Sequence, residues 1–277
     1  MLALGALLSD QHIHKNSSKL CDYEFRIFSQ FGDDGIIQYL TKTIKFKNHT
    51  FIEFGVEDFQ ESNCRFLLMY SNWSGYVLDG NPHHMESLAR RPWYWKYDLR
   101  QKAAFITKEN INELLKESGF KDLGILSIDI DGNDFHILSA LDFSELNPCL
   151  LIMEYNGNFG PERAVTVPYQ PDFTRASAHY SHLYFGASLK ALSWAASQKG
   201  YTLIGSNSAG NNAYFLRKDL LTDDIRAQEV EAVFRKSKFR ESRNQQGQLN
   251  YLRGDDAQSV LKGLPVLNVE TQQLERL

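Results

Sequence analysis

Cysteine, proline and long apolar runs are scarce in this chain. Its 277 residues include three cysteines, Cys21, Cys64 and Cys149. The number is odd and no C-x-x-C spacing occurs, which argues against both a disulfide framework and a structural zinc site. Seven prolines, with no low-complexity tract and no internal repeat, leave an ordinary globular composition that is 43% hydrophobic and 23% charged. No stretch approaches the ~18 apolar residues of a membrane span. The opening Met1–Leu8 is apolar over too short a length, and it lacks the basic flank and cleavage site of a signal peptide. The expectation is a cytoplasmic protein without a membrane span. A basic excess is missing as well: 34 acids oppose 30 Lys and Arg, giving a net charge of -4. With charges mixed along the chain no basic stripe marks a nucleic-acid track, so nucleic acid is not an expected partner. Homo-oligomerisation is compatible with this composition.

What the chain does have is alternation. Short apolar runs occur at Thr50–Val56, Gly75–Leu78, Ala103–Ile106, Gly124–Ile130, Leu150–Met153, Tyr201–Ile204 and Ala213–Leu216. Helical segments are expected between them, at Ser62–Tyr70, Pro82–Ala89, Glu109–Ser118, Phe135–Leu141 and Ser188–Lys199. Parallel strands need crossovers, and the crossovers bury the sheet, so this pattern predicts an α/β, Rossmann-like doubly wound sheet of seven strands. The last two strands are joined by the turn-rich Gly205–Asn212, too short for a helix, which predicts a C-terminal antiparallel hairpin. Residues 1–50 read as a helical N-terminal lead-in, with the polar loop Ser29–Gly35 separating two short helices. The domain is expected over 1–218. Residues 219–277, with Arg235, Lys236, Lys238, Arg240 and Arg243 clustered together, read as a helical or irregular C-terminal appendage.

In an open parallel sheet, ligands bind beyond the carboxyl ends of the strands, where the strand order reverses. The residues closing the strands are rich in acids. Glu53-Phe54-Gly55 ends the first strand, with Glu57 following. Asp79-Gly80-Asn81 ends the second and Thr107 follows the third. Asp129-Ile130-Asp131-Gly132-Asn133-Asp134 ends the fourth, and Glu154-Tyr155-Asn156 the fifth. A glycine turn lets backbone N–H groups approach a ligand, while the negative charge suits a cation or a ligand ammonium rather than a pyrophosphate. Asp79 lies 26 residues after Glu53, near the offset of about 20 at which an acid binds ribose hydroxyls. A nucleoside carrying an amine, S-adenosylmethionine, fits this pattern. Its expected partners are Glu53, Gly55, Glu57, Asp79, Gly80, Asn81, Thr107 and Asp129.

The runs Glu53-Phe54-Gly55, Tyr76–Gly80 and Ser127–Asp134, together with the closing hairpin, resemble a class I S-adenosylmethionine-dependent methyltransferase. Within that class, Ser29–Gly35 and Ile128–Gly132 most resemble the FkbM-like methyltransferases. The resemblance covers about residues 25–217, and it implies methylation of a hydroxyl on a sugar or glycoconjugate precursor. The chain departs from the family where the second glycine of E-x-G-x-G is expected, because Glu57 stands there. Catechol-type methyltransferases hold Mg²⁺ with an acid after the fourth strand and an acid–amide pair after the fifth. Asp129 or Asp131, with Glu154 and Asn156, occupy similar places, and oxygen ligands of this kind suit Mg²⁺ or Mn²⁺. The metal set expected here is Asp131, Glu154 and Asn156.

Methyl transfer from a sulfonium needs alignment more than strong base catalysis. Asp131 is the first candidate base, Asp134 and Asn156 are orienting groups, and His136 is an alternative base or a packing residue. His83 and His84 read as surface residues. Trp93-Tyr94-Trp95 and Tyr97 are candidates to stack on a ring or to pack in the core or a lid. The long stretch 157–185 reads as a lid or binding element, with Arg163, Tyr169, Arg175, His179, His182 and Tyr184 as substrate contacts. Two other readings compete. A metal-dependent glycosyltransferase would use Asp129-x-Asp131, and a non-catalytic binding module of the same fold would explain Glu57.

Overall fold

A computed structural model describes residues 1–238 and 241–277; Arg240 of the expected basic cluster therefore lies outside the described residues. Five parallel strands form the centre: β1 (Thr50–Phe54), β2 (Ser74–Asp79), β3 (Leu99–Ala103), β4 (Ile125–Ile128) and β5 (Leu150–Glu154). The later strands are β6 (Val165–Thr166), β7 (Tyr201–Ser206), β8 (Asn212–Arg217), β9 (Pro265–Asn268) and β10 (Gln273–Arg276). The main sheet has seven strands in the order β3-β2-β1-β4-β5-β8-β7. Strands β7 and β8 form the expected antiparallel hairpin, and β8 pairs antiparallel with β5. This is the doubly wound, Rossmann-like arrangement the sequence predicts.

Alternation of side chains across the strands divides the interior into two cores. Ile52, Phe54, Tyr76, Leu78, Leu126, Ile128, Leu151 and Met153 face one of them. There they meet α5 (Ile111–Lys116), α6 (Asp134–Ala140) and α8 (Leu189–Gln198). Phe51, Val77, Ile125, Leu150 and Ile152 face the other core. It is covered by α2 (Asp33–Thr43), α3 (Arg65–Ser71) and α4 (Pro82–Ala89). With both faces covered, the central strands are apolar nearly throughout. By the same alternation, Glu53, Asp79 and Glu154 fall on the face of the second core, which gathers acids from three strand ends on one side of the sheet.

Three elements differ from the sequence reading. The third strand is Leu99–Ala103 rather than Ala103–Ile106. It pairs only with β2, and the charges of Arg100 and Lys102 on this sheet edge hide it from a hydrophobic scan. In the lead-in, α1 (Leu2–His12) is helical, but α2 begins at Asp33, inside the expected loop, and 24–32 carries no helix. The carboxylate of Asp34 explains this: its Oδ2 accepts the N–H groups of Ile27, Phe28 and Ser29 and the Ser29 hydroxyl, all within 2.8 Å. Those donors are thereby taken from any preceding helical turn. Third, the helices of the C-terminal segment, α9 (Val230–Val233) and α10 (Gly254–Ser259), are short, and β9 and β10 pair into a second sheet in the order β10-β9-β6. Its small core joins Phe159, Val165, Phe173 and Phe185 to Ala257, Leu261 and Val266. Residues far apart in sequence thus anchor the 157–185 stretch, which also carries α7 (Arg175–Ala178).

Candidate active site

A cavity of about 620 Å³ opens at the carboxyl ends of β1, β2, β4 and β5, where the sheet order reverses between β1 and β4. Eight carboxylates line it, from Glu53, Glu57, Glu61, Asp79, Asp129, Asp131, Glu154 and Glu241. One arginine, Arg175, and two histidines, His84 and His182, are the basic side chains of the described lining.

Its floor is the turn after β1. Gly55 has φ +68°, and a Cβ there would stand 1.7 Å from the Asp129 carbonyl oxygen, so no side chain fits between the β1 and β4 turns. Glu57 and Phe59 are also left-handed, at φ +47° and +63°. The turn therefore keeps a glycine-type conformation where the glycine is missing, at a steric cost of about 1 kcal/mol or more per residue. The Glu57 N–H donates to Asp79 Oδ2 at 2.8 Å, which ties this turn to the end of β2. Asp79 Oδ1 accepts the Asn81 N–H at 2.8 Å and lies 3.0 Å from His84 Nδ1. His84, read from sequence as a surface residue, thus steadies Asp79. Asn81-Pro82 starts α4 and brings its third residue back to the strand end.

Glu53 is buried, and its carboxylate is already bound. It accepts from the Ser62 hydroxyl at 2.6 Å, the Asn63 N–H at 2.8 Å and the Cys64 N–H at 3.1 Å. Burial raises its pKa and these donors oppose the rise. Glu53 organises the loop before α3 and exposes little charge to a ligand. Asn63 in turn donates to the Ser127 hydroxyl at 3.1 Å. Ser62, Asn63, Asn211 and Asn212 line the cavity, and sequence reading missed all four. The S-N and N-N pairs sit inside turn-rich stretches, where such residues ordinarily serve the backbone.

At the ends of β4 and β5, carboxylate oxygens of Asp129, Asp131 and Glu154 lie within 4.8 Å of one another. Burial, followed by the charges of Asp131 and Asp134, pushes Asp129 well above the usual carboxylate range. Burial and the Asp129 charge do the same to Glu154. The Oε2 atom of Glu154 is closed off from solvent and meets no hydrogen-bond partner. Asp131, by contrast, is 56% exposed and pairs with Arg175 at 3.1 Å.

The other expected residues are placed differently. Asp134 lies fully buried beneath the β4 loop, accepting the N–H groups of Ile130 and Gly132 at 2.9 Å, and burial pushes its pKa up to about 6. Its oxygens hold the loop that carries Asp129 and Asp131 rather than facing the cavity. Asn156 turns away from Glu154: its amide spans the Leu183 and Phe185 carbonyls at 2.8 and 2.9 Å, so the three acids that converge include Asp129 in its place. His136 Nε2 meets the Val167 carbonyl at 2.8 Å, and burial lowers its pKa. The Thr107 N–H donates to Asn110 Oδ1, and the adjoining wall is formed by Ala104, Phe105 and Ile106. Gly80 lines the cavity, whereas Asn81 caps α4 by accepting the His83 N–H.

From the 157–185 stretch, Arg175 and His182 reach the cavity together with Phe173. Arg163 pairs with Glu275 and the Tyr184 hydroxyl with the Pro265 carbonyl, so these two brace the second sheet, while the Tyr169 hydroxyl ties the stretch to Glu109 ahead of α5. His179 meets the Ser181 hydroxyl at 2.8 Å. Trp93, Tyr94 and Tyr97 pack against the second core, and Trp95 is exposed. The backbone of 235–238 crosses the hairpin turn, with the Lys238 N–H donating to the Ala209 carbonyl.

No family model matches the chain, and no curated protein matches it. Among solved structures it is similar to M. capricolum TrmK in complex with S-adenosylhomocysteine, at 14% identity over 69% of this chain and 70% of that one, with a TM-score of 0.38. It is also similar to the CurJ carbon methyltransferase, at 10% identity over 67% of this chain and 52% of that one, with a TM-score of 0.41. A third similar structure is an O-methyltransferase family protein from Burkholderia thailandensis, at 10% identity over 78% of this chain and 56% of that one, with a TM-score of 0.37. The chain spans about half the length of the last two. Among the described residues no helix is long and apolar enough to cross a membrane.

Proposed function

We propose that the protein is an S-adenosylmethionine-dependent O-methyltransferase acting on a hydroxyl of a sugar or glycoconjugate precursor. The observation that carries this reading is the meeting of the Gly55 turn and Asp79 in one cavity at the switch point of the sheet. The residues fit the cofactor. Asp79 is fixed in orientation by the Glu57 and Asn81 N–H groups, and it stands where an acid accepts ribose hydroxyls. The Cβ-free Gly55 and the left-handed Glu57 bring backbone to the cavity wall. The acidic lining, with Glu57, Asp79 and Asp131 among its members, favours a cationic ligand electrostatically.

When bound, S-adenosylmethionine supplies a methyl group on a sulfonium whose departing thioether is neutral. Asp79 and Gly80 would hold its nucleoside, with Phe105 beside Gly80. Asp131, the exposed acid at the end of β4, takes the proton of the acceptor hydroxyl. Polar lining together with the Phe105 and Phe173 rings suits a hydroxyl-rich acceptor. Positioning carries most of the effect.

One observation favours the glycosyltransferase reading: Asp129 and Asp131 converge with Glu154. Against it stands the lining as a whole, because a wall rich in acids disfavours a diphosphate. Calorimetric titration with S-adenosylhomocysteine decides among the readings. Micromolar binding that falls at least tenfold in Asp79→Ala supports the methyltransferase. Absence of binding at millimolar ligand sinks it, and binding of a nucleoside diphosphate with Mn²⁺ would then put the glycosyltransferase first.

A further inference from the structure

The cavity wall at β5 and β8 holds two acceptors without donors. Glu154 and Asn212 are directly opposed in the antiparallel register of these strands, so their side chains stand beside each other on one face of the sheet, and both line the cavity. Glu154 Oε2 and Asn212 Oδ1 are closed off from bulk water and meet no hydrogen-bond partner. Asn212 is 4% exposed, and turning its amide over does not repair this. Its nitrogen donates to Asp33 Oδ1 at 3.1 Å and to Asn63 Oδ1 at 3.4 Å, and Asp33 also takes the Tyr214 hydroxyl and the Asn207 amide. A reversed amide would set its oxygen against two others. The Asn212 oxygen is thus fixed as an acceptor by contacts at the start of α2 and the loop before α3, independently of the acids on β4. Two neighbouring buried acceptors call for one group that brings several donors. A protonated amine carries three, and its charge offsets the mutual repulsion of Asp129, Asp131 and Glu154. The last torsion of a glutamate side chain is broad, so Oε2 turns toward an amine in the cavity at little cost.

We propose that Glu154 and Asn212 bind a protonated primary amine on the acceptor, and that the acceptor is an amino sugar whose reacting hydroxyl lies on the carbon next to the amine. The position follows from distance. Asp131, which takes the hydroxyl proton, has an oxygen within 4.8 Å of one of Glu154, so an amine on Glu154 and a hydroxyl on Asp131 belong to neighbouring carbons. A hydroxyl across the sugar ring from the amine would miss Asp131. The cofactor carries an amine of its own, but its ribose is placed at β2. Glu154 and Asn212 stand three and four strands from there, about 14 and 19 Å at the usual strand spacing, on the acceptor's side of the cavity. The role of the hydroxyl rests on the methyltransferase reading; the amine site does not.

The test titrates the full-length protein with glucosamine, N-acetylglucosamine and glucose by calorimetry, in chelator, with and without saturating S-adenosylhomocysteine. Glucosamine is expected to bind at least about tenfold more tightly than the other two, the worth of one hydrogen bond to a charged group, because acetylation masks the amine and glucose lacks it. Glu154→Gln keeps the shape of the side chain and should remove that preference. Asn212→Ser should reduce it severalfold; if this variant fails to fold, Glu154→Gln and the three sugars decide alone. Equal affinities for the three sugars, or no binding of glucosamine at millimolar concentration, overturn the proposal. A preference for glucosamine that survives Glu154→Gln overturns the site. If Glu154→Gln weakens S-adenosylhomocysteine as much as glucosamine, the cofactor's own amine occupies the site and the assignment to the acceptor falls. The two ideas fail separately. Binding of S-adenosylhomocysteine without a preference for glucosamine leaves the methyltransferase reading standing and removes the amine site, while the reverse pattern does the opposite.

Discussion

Two groups of acids serve the fold in opposite ways. Asp33 and Asp34, at the start of α2, are surrounded by donors. Asp33 accepts from the Tyr214 hydroxyl at 2.5 Å and from the Asn207 and Asn212 amides at 3.1 Å, and Asp34 Oδ2 gathers three backbone N–H groups and a hydroxyl while its Oδ1, like Glu154 Oε2, meets no partner. Asp129, Asp131 and Glu154, at the far ends of β4 and β5, face one another. Burial raises the pKa of acids in both groups, but donors oppose the rise at α2, whereas neighbouring carboxylates add to it at the strand ends. Acids met by several donors, as at α2, fix a structure. Acids that crowd one another, as at the strand ends, persist at a cost in stability, as binding and catalytic groups commonly do.

The sharpest break of this comparison is Asp34→Ala. It strands the N–H groups of Ile27, Phe28 and Ser29 in a buried loop, and urea unfolding should show a loss of about 3–5 kcal/mol. Asp129→Asn should act in the opposite direction. Removing one charge from the cluster should raise the stability of metal-free protein at pH 7.5 by about 1–2 kcal/mol, read as a higher melting temperature. A loss of stability there would mean that the strand-end acids are as well satisfied as those at α2.

The smallest effect is the pH profile. An acid with a raised folded-state pKa binds its proton more tightly when folded, so its contribution is full below the unfolded value and is lost as pH rises through the folded one. Asp134, pushed up to about 6, should make stability fall between pH 4 and 6. Asp129 and Glu154 should carry the fall further. In Asp129→Asn the decline should be shallower, measured by chemical unfolding in chelator at each pH. Identical slopes would place the titration elsewhere.

The sheet and the acids at its strand ends were legible because parallel strands buried on both faces are apolar to their last residues, so that Asp79, Asp129 and Glu154 stand out where each run stops. The direction of a side chain beyond the strand was not legible. Asn156 follows Glu154 by two residues and shares its strand parity, yet a loop some thirty residues on offers two carbonyls that draw its amide away. The edge strand β3 was hidden by its charges. The second sheet was hidden by distance along the chain, since β6 at 165–166 finds its partner at 265–268. Arg175 and His182 stood among six candidates on one long stretch, and only the packing of that stretch separates them from the rest.

That second sheet sets a timetable for the molecule. During synthesis the seven-stranded sheet is complete once residue 217 has emerged, and its cores close soon after. Strand β6, on the segment that carries Arg175 to the cavity, bridges Ala187 through Thr166 within its own stretch, and its ladder to β9 waits for residues 265–268. A ribosome-bound chain therefore completes the main sheet, and with it most of the cavity wall, before the second sheet that backs the 157–185 stretch can close.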